Sequence, residues 1–355
     1  MEVNLTIAER MAAQGSRNSQ LQPAFNSQPD NLSSDAHWCY LFGPVQSRRL
    51  RLSLGIDVVP MKTCTFNCIY CQLGRTSCQT LTRQEYVPAK EVMAELQTYL
   101  DNGGTADYLT FSGSGEPTLH SKLGEMIAQT KQMSKIPVAV LTCGALLFDP
   151  QVRKELLAAD VVLPSLNAAS AKTFQLINRP HGNLHLNEIF DGLRRFRREY
   201  RGKIWLEIML VKGVNDNANE IAALRTAIGE IKPDKVHLNT VVRPPSELDV
   251  KALTAAELHA IRNLLGSPAE VIAEHAAVSR PFPEKHLLDA VVELVSRHPV
   301  TLEEIAARVN GGAENIETAL QALIENGAIE MRRHQGKKFF VAPNSERHEF
   351  SEIVK

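Results

Sequence analysis

Three cysteines in one short segment constrain this chain more than any other feature. Cys64, Cys68 and Cys71 are spaced C-x3-C-x2-C, and they follow an apolar alternating segment and Pro60. This pattern predicts a strand that gives way to a loop and then to a helix. A compact loop can gather three thiolates around one small inorganic group. Thiolates bind iron-sulfur clusters and zinc, and an iron-sulfur cluster is the first hypothesis.

Zinc and a disulfide are the competing explanations. Structural zinc takes four ligands, usually as two pairs, and no second C-x2-C or H-x3-H pair follows at a finger-like distance. A disulfide fits poorly, because the first residues do not read as a secretory signal and no even cysteine framework is evident. Three sulfurs on a cubane would leave one iron without a protein ligand, open to a bidentate small molecule.

The cysteine spacing, with Tyr70 directly before the last cysteine, resembles the signature of the radical S-adenosylmethionine (SAM) superfamily. The segments FGPVQSRRL at 42–50 and QLGR at 72–75 are similar to the Fe-S oxidoreductase branch related to wyosine-type tRNA-modifying enzymes. The resemblance spans residues 42–243. It implies a [4Fe-4S] cluster held by Cys64, Cys68 and Cys71, whose remaining iron is chelated by the amino and carboxylate groups of SAM.

The same resemblance implies a reaction. SAM would be cleaved reductively to methionine and a 5′-deoxyadenosyl radical, which abstracts hydrogen from a substrate. The electron would come from a reductant such as flavodoxin or ferredoxin.

Composition limits the partners and the compartment. The net charge is -1 over 355 residues, so no global field attracts nucleic acid or an acidic membrane. No apolar run approaches the length of about 18 residues that a membrane span needs. Six cysteines, three of them clustered, indicate a reducing cytoplasm.

Alternating strand and helix patterns predict an α/β fold with a parallel sheet, as a partial (β/α)6 barrel. The predicted strands are 52–59, 107–112, 137–142, 161–164, 204–211 and 235–239. One predicted helix begins near Pro88, and five others cover 122–133, 150–158, 171–177, 187–200 and 218–231. Parallel barrels carry their chemistry at the carboxyl ends of the strands, where the cysteines fall.

The predicted domain organisation has five parts. They are a flexible N-terminal arm at 1–35, the barrel at 36–245, a connector or flap at 246–282, a winged-helix module at 283–345 and a tail at 346–355. The winged-helix prediction rests on a capping box at Thr301 and Glu304, a second apolar-faced helix and two short strands. Its basic hairpin, at 332–338, would suit DNA, RNA or a peptide, although such modules also simply pack on another domain.

A glycine-rich turn follows the second predicted strand. Glycines allow a close approach of the backbone to a ligand, and Glu116 supplies a carboxylate for an ammonium group. Within the resemblance, Ser114, Gly115 and Glu116 match the Gly-Gly-Glu motif that holds the methionine end of SAM, with Ser in place of the first Gly; Pro117 follows it.

Ser165 and Asn167 end the fourth predicted strand, where we expect ribose contacts near Tyr70. Similar proteins usually have Asp where Asn167 stands.

Other polar residues leave alternatives open. Cys143 stands where similar proteins have Asn. It is either a neutral packing substitute or a thiol near the cofactor. Cys39 and Cys78 do not readily supply a second cluster, so none is expected. Glu207, in an apolar strand, is either paired with a basic side chain or faces the barrel lumen.

The sequence therefore predicts a radical SAM enzyme whose substrate is a tRNA base or, alternatively, a peptide. A different class is a redox-sensing regulator that binds DNA through the winged helix. In that case the cluster would not use SAM.

Overall fold

The computed structural model describes residues 38–273, 287–307 and 313–343. The predicted N-terminal arm, the predicted boundary at 281–283 and the predicted tail lie outside the described residues. The chain divides into two compact units: one contains the residues from Trp38 to 273, and the other contains those described beyond 287.

The strands are, in chain order, β1 (Leu41–Ser47), β2 (Arg51–Ile56), β3 (Thr63–Cys64), β4 (Cys78–Gln79), β5 (Tyr108–Phe111), β6 (Val138–Thr142), β7 (Val161–Pro164), β8 (Lys203–Leu210), β9 (Lys235–Thr240), β10 (Ala269–Val271), β11 (Glu330–His334) and β12 (Lys337–Val341). The helices are α1 (Ala89–Asp101), α2 (Leu123–Met133), α3 (Pro150–Leu156), α4 (Ala171–Asn178), α5 (Leu186–Glu199), α6 (Ala218–Ile231), α7 (Ala255–Leu265), α8 (Leu287–Arg297), α9 (Leu302–Ala306) and α10 (Ala313–Glu325).

An eight-stranded sheet of order β1-β2-β5-β6-β7-β8-β9-β10 forms the larger unit. Only β1 is antiparallel to its neighbour; the other neighbouring strands are parallel. The strand order never reverses, so the sheet has no topological switch point, and it is consistent with a partial barrel. The six predicted parallel strands are confirmed within a few residues. The sequence analysis did not predict β1, which pairs with β2 to form a hairpin.

The two faces of the sheet differ in chemistry. Alternate strand residues such as Leu54, Leu109 and Leu206 join the main core with residues of the helices. The opposite, inner face carries a smaller apolar cluster that includes Leu163 and packs against Trp205. Because successive strand residues alternate between faces, polar residues two positions from these inner-face residues also lie on the inner face.

The second unit has its own core, formed by helices α8, α9 and α10 and by the β11–β12 hairpin. Val300 adds an antiparallel bridge to Phe340. The predicted capping box is confirmed: the Thr301 side chain accepts from the Glu304 amide, and the Glu304 carboxylate accepts from the Thr301 amide. Helices α9 and α10 and the two strands follow in the order that the sequence predicted, whereas α8 was not predicted.

Candidate cofactor site

The three motif cysteines lie in the loop that follows β2, at the carboxyl end of the parallel strands. All three are partly buried free thiols. The loop is tightly turned, since the Cys71 amide donates to the Cys68 carbonyl at 3.1 Å. Cys64 lies in β3, which pairs with β4 and so fixes one end of the loop. The sequence motif therefore becomes one local thiol cluster.

The thiols are close enough to influence each other's ionisation. A hydrogen bond with Cys143 lowers the pKa of Cys64, whereas burial and then the charge of Cys64 raise the pKa of Cys68 to about 12. Metal binding must therefore displace a proton from Cys68. Among the described residues, no three His, Cys, Asp or Glu side chains are grouped as ligands of a single metal ion. A cubane, by contrast, takes each thiolate on a different iron, and the donor set here fits such a cluster.

Besides Cys143, two nitrogen-bearing side chains from outside the motif donate to the cluster cysteines. The Lys62 ammonium donates to Cys71 Sγ at 3.0 Å, and Asn178 Nδ2 donates to Cys68 Sγ at 3.4 Å. Burial alone would lower the pKa of Lys62, but the charge of Cys71 and their hydrogen bond raise it overall. The sequence analysis did not single out Lys62. Its position, two residues before the first motif cysteine, is the signal that could have identified it.

The turn from Ser114 to Pro117 packs directly against the cysteine loop. Asp57 accepts hydrogen bonds from both the amide and the hydroxyl of Ser114, and the Ser114 carbonyl accepts from the Lys62 amide at 2.7 Å. At Gly115, an added Cβ would lie 1.8 Å from the Thr63 carbonyl oxygen, so no side chain fits there. The turn and the cysteine loop are thus joined through backbone groups.

Glu116 is almost completely buried, with 1% of its surface exposed. Its Oε1 accepts from the Thr118 amide at 3.0 Å and from the hydroxyls of Thr118 and Thr142, each at 2.6 Å. Its Oε2 accepts from the Cys143 amide at 2.6 Å. The Cys143 thiol also forms a hydrogen bond with this carboxylate, so both oxygens have hydrogen-bond partners. The carboxylate is rigidly oriented beside the cysteine loop.

Tyr70 lies in the cysteine loop, whereas Ser165 and Asn167 follow β7. The structure brings two of these residues into contact. Asn167 Nδ2 donates to the Tyr70 hydroxyl at 2.7 Å, and Asn167 Oδ1 accepts from the Met209 amide at 2.8 Å. Burial raises the pKa of Tyr70 well above its usual value. Ser165 follows β7 and bridges to Glu207 of β8. The predicted ribose contacts of these residues stay a prediction, and Asn167 also links strand ends.

Cys143 lies beside the cluster cysteines rather than in a remote packing position. Its thiol is 3.0 Å from the Thr65 hydroxyl and shares a hydrogen bond with Cys64. Burial raises its pKa well above the usual value. Of the two alternatives for Cys143, the structure thus favours the thiol near the candidate cofactor site. Cys39 and Cys78, by contrast, are exposed.

Glu207 is paired with a basic side chain, and it also lies on the inner face of the sheet. Glu207 follows Trp205 by two positions on β8, so it faces the inner side of the sheet. It forms an ion pair with Arg49 of the β1–β2 turn and accepts from Asn239 Nδ2 at 3.0 Å. Burial would raise the pKa of Glu207, but the Arg49 guanidinium lowers it overall. His237, its neighbour on β9, is 2% exposed, and burial lowers its pKa to about 4.

A segment after β9 holds the cysteine loop from outside. The Ser246 hydroxyl donates to the carbonyls of Cys68 and Ile69, at 2.9 Å and 2.8 Å. Glu247, whose side chain is fully buried, pairs with Arg75 at 3.1 Å and with Arg179 at 2.6 Å. Sequence reasoning assigned this segment to a connector and missed its contacts, which link residues far apart in the chain.

Comparison with known proteins identifies the class. The Radical SAM superfamily matches residues 58–224, a range that includes the cysteine loop and the turn at Glu116. The protein is a radical SAM enzyme of the Fe-S oxidoreductase type, with a [4Fe-4S] cluster and SAM as cofactors. Enzymes of this class require an external reductant.

The sequence relatives identify the family. A UPF0026 protein of Helicobacter pylori (strain ATCC 700392 / 26695) is 34% identical over 79% of this chain and 91% of its own length. The chain belongs to the UPF0026 family. It also matches a Brachyspira hyodysenteriae protein named GTPase Obg, with 37% identity over 81% of this chain but only 43% of that protein, so it spans less than half of that relative.

Among solved structures, the structure of TYW1 with a lysine-pyruvate adduct bound is similar to this one. The sequence identity is 17% and the TM-score is 0.46, and the match covers 64% of this chain and 76% of that chain. At that identity the likeness concerns the path of the chain only. No helix in the described part of the chain has both the length and the apolar character needed to cross a membrane.

Proposed function

We propose that this protein cleaves SAM reductively and uses the resulting radical to abstract hydrogen from a tRNA base. Cys64, Cys68 and Cys71 would hold the cluster, and SAM would bind across the ends of β5, β6 and β7. When bound, the cluster and SAM together supply the electron transfer and the 5′-deoxyadenosyl radical. The chain supplies ligands, orientation and exclusion of water.

The observation that carries this proposal is the environment of Glu116. Its carboxylate is buried beside the cysteine loop and is held in one orientation by Thr118, Thr142 and Cys143. A buried carboxylate of this kind suits a cationic amino group, which would donate a charge-assisted hydrogen bond. The amino group of SAM, chelated to a cluster on the adjacent loop, meets that requirement.

The other turn residues would support the same ligand through the backbone. Ser114 uses its hydroxyl and amide to bind Asp57, so it offers rigidity rather than a free side chain. Gly115 allows the close approach to the cysteine loop, and Pro117 opens the short 3-10 turn that fixes Glu116. We also propose that Tyr70, Ser165 and Asn167 approach the nucleoside.

A tRNA substrate is supported by the resemblance to the wyosine-related branch and by the second unit. We propose that this unit is a winged helix that binds RNA through the β11–β12 hairpin. Arg333, Lys337 and Lys338 are exposed on it, whereas Arg332 pairs with Glu330 at 2.7 Å. Exposed cationic side chains on one hairpin favour contact with a phosphate backbone. A flavodoxin or ferredoxin is the proposed electron donor.

The proposal is tested by anaerobic reconstitution of the full chain, followed by reduction with SAM present. The wild type is expected to form 5′-deoxyadenosine. Glu116→Gln keeps the shape but removes the charge, and is expected to weaken SAM binding by about 10- to 100-fold, because a hydrogen bond to a charged group contributes on the order of 1.5–3 kcal/mol. Equilibrium dialysis with labelled SAM measures this change.

The matched control is Glu125→Gln, an exposed carboxylate on α2. It should bind SAM as the wild type does. If Glu116→Gln binds SAM with unchanged affinity, the assignment of Glu116 is wrong. A wild-type protein that binds iron but never cleaves SAM would instead indicate a redox sensor.

The substrate is tested separately, by mass spectrometry of tRNA nucleosides and of peptides from a deletion strain. Loss of one modified nucleoside, restored by the wild-type gene but not by the Cys68→Ala variant, is the expected result. A change in a peptide with unaltered tRNA would contradict the tRNA assignment.

A further inference from the structure

Two of the cluster cysteines accept hydrogen bonds from nitrogen donors that the cysteine motif does not contain. Lys62 Nζ lies 3.0 Å from Cys71 Sγ, and Asn178 Nδ2 lies 3.4 Å from Cys68 Sγ. One donor is a cation and the other is a neutral amide. Nothing in the radical SAM signature requires either residue, so their placement calls for a separate physical reason.

Lys62 is built into the site and is not a mobile surface side chain. Only 7% of its surface is exposed, which is unusual for a lysine. Its backbone has a positive φ of 58°, a conformation uncommon for a non-glycine residue. Its amide donates to Ser114 and its carbonyl accepts from the Cys78 amide at 3.1 Å, so the residue is fixed on both sides.

Asn178 is equally constrained. It is the last residue of α4, with 2% of its surface exposed. Its carbonyl accepts from the Asn67 amide at 3.0 Å, which places the end of α4 directly against the cysteine loop. Three further backbone contacts join the same segments: the Asn67 amide also donates to Arg179, the Ile69 amide donates to Ile177, and the His181 amide donates to Thr65. The amide donor is therefore held at Cys68 by the fold.

Donors and positive charge beside a cluster thiolate stabilise its more negative oxidation state. The reduction potential of an iron-sulfur cluster depends on net charge, on hydrogen bonds to the sulfurs and on burial. One electron converts the oxidised cluster, [4Fe-4S]²⁺, into [4Fe-4S]⁺, and a low-potential flavoprotein or ferredoxin supplies it. A buried ammonium 3.0 Å from one thiolate therefore favours the reduced form.

We propose that Lys62 and Asn178 are positioning residues that raise the reduction potential of the cluster held by Cys64, Cys68 and Cys71, so that a biological donor can reduce it. The inference rests on cluster binding by these cysteines, as the proposed function does. Lys62 acts through its charge on Cys71, and Asn178 acts through a neutral hydrogen bond on Cys68. The effect of Lys62 is therefore the larger.

The test is a redox titration of the reconstituted full chain without SAM, with the reduced cluster followed by electron paramagnetic resonance. Lys62→Met removes the charge and keeps an unbranched side chain. It is expected to lower the ratio of reduced to oxidised cluster at least tenfold at a fixed potential, a shift of about 59 mV for a one-electron couple. Asn178→Leu is expected to lower the ratio by about threefold.

Two controls separate this effect from a general disturbance. Lys62→Arg keeps the positive charge and should remain within about threefold of the wild type. Lys135→Met removes an exposed lysine that precedes β6, at the opposite ends of the parallel strands, and should leave the potential unchanged.

Each outcome decides the question. A Lys62→Met protein with full iron content and a wild-type potential overturns the proposal, as does an equal shift in Lys62→Met and Lys62→Arg. If Lys62→Met assembles no cluster, Asn178→Leu decides: a lowered potential supports the proposal and an unchanged one overturns it. A wild-type chain that binds no iron refutes the cofactor assignment itself, before any variant is compared.

Discussion

Replacement of Arg49 by methionine is expected to destabilise the larger unit, because it leaves the Glu207 carboxylate buried without its cation. The side chains of Arg49 and Glu207 are only 17% and 11% exposed. Removing one partner of a buried ion pair costs about 3–5 kcal/mol. Asn239 still donates to Glu207 at 3.0 Å, so we expect the lower end, about 3 kcal/mol.

A double-mutant cycle isolates the pair. Glu207→Gln leaves Arg49 unpaired but partly solvated, so we expect a cost of about 2 kcal/mol. The double variant should lose less than the sum of the two single variants, with a coupling of about 2 kcal/mol. Urea unfolding, followed by the fluorescence of Trp205 on the same strand as Glu207, measures each free energy.

Lys122→Met is the matched control, because Lys122 pairs with Glu125 at the surface. The side chain of Lys122 is 42% exposed and that of Glu125 is 62% exposed. Such pairs contribute about 0–1 kcal/mol. The reasoning is refuted if Arg49→Met destabilises no more than Lys122→Met, or if the two single variants add within about 0.5 kcal/mol.

The same pair makes a prediction about pH. The pKa of Glu207 is lower in the folded chain than in the unfolded chain, because Arg49 outweighs burial. Its contribution to stability is therefore present above the unfolded pKa of about 4.3 and is lost as pH falls through the folded value. In Arg49→Met this contribution should decrease, because only Asn239 and Arg48 then oppose the effect of burial on the pKa of Glu207.

Three further variants test other contacts. Gly115→Ala places a methyl group 1.8 Å from the Thr63 carbonyl, so iron content after reconstitution should fall severalfold, whereas Gly229→Ala, in open space, should match the wild type. The pKa of His237 is about 4 in the folded chain, so between about pH 6.5 and 4 the unfolded chain binds a proton that the folded chain does not. The free energy of unfolding should therefore fall by up to about 3 kcal/mol as pH is lowered over that range. In His237→Gln this fall should be smaller. Glu247→Gln weakens the buried ion pairs with Arg75 and Arg179, so a chelator should remove iron faster. An unchanged rate would show that these pairs do not stabilise the cysteine loop.

The parallel strands were predictable because buried parallel strands appear as apolar runs between turn-forming residues. β1 was not, since Phe42 and Gly43-Pro44 interrupt its pattern and its pairing depends on a partner strand. Phe42 packs on Gly55, where an added Cβ would lie 2.0 Å from the ring. This contact is tertiary, and no local periodicity encodes it.

The three cysteines and Glu116 could be proposed from the sequence, because each lies in a short local motif whose residue types indicate its chemistry. Lys62 and Asn178 were not assigned to the cluster, because a hydrogen bond to a thiol depends on the three-dimensional position of the donor, which the sequence does not give. Asn178 lies 110 residues from Cys68 in the chain. Arg49 and Glu207 are 158 residues apart, so the sequence suggested the need for a partner without naming it.

Electron paramagnetic resonance of the reduced, reconstituted chain, recorded with and without SAM, tests the central claim most directly. The account predicts a reduced-cluster signal that changes when SAM is added, because three cysteines would leave one iron of the cluster open to SAM. Cys68→Ala should lose the signal. A wild-type signal that SAM leaves unaltered, or a colourless protein with stoichiometric zinc, would contradict it.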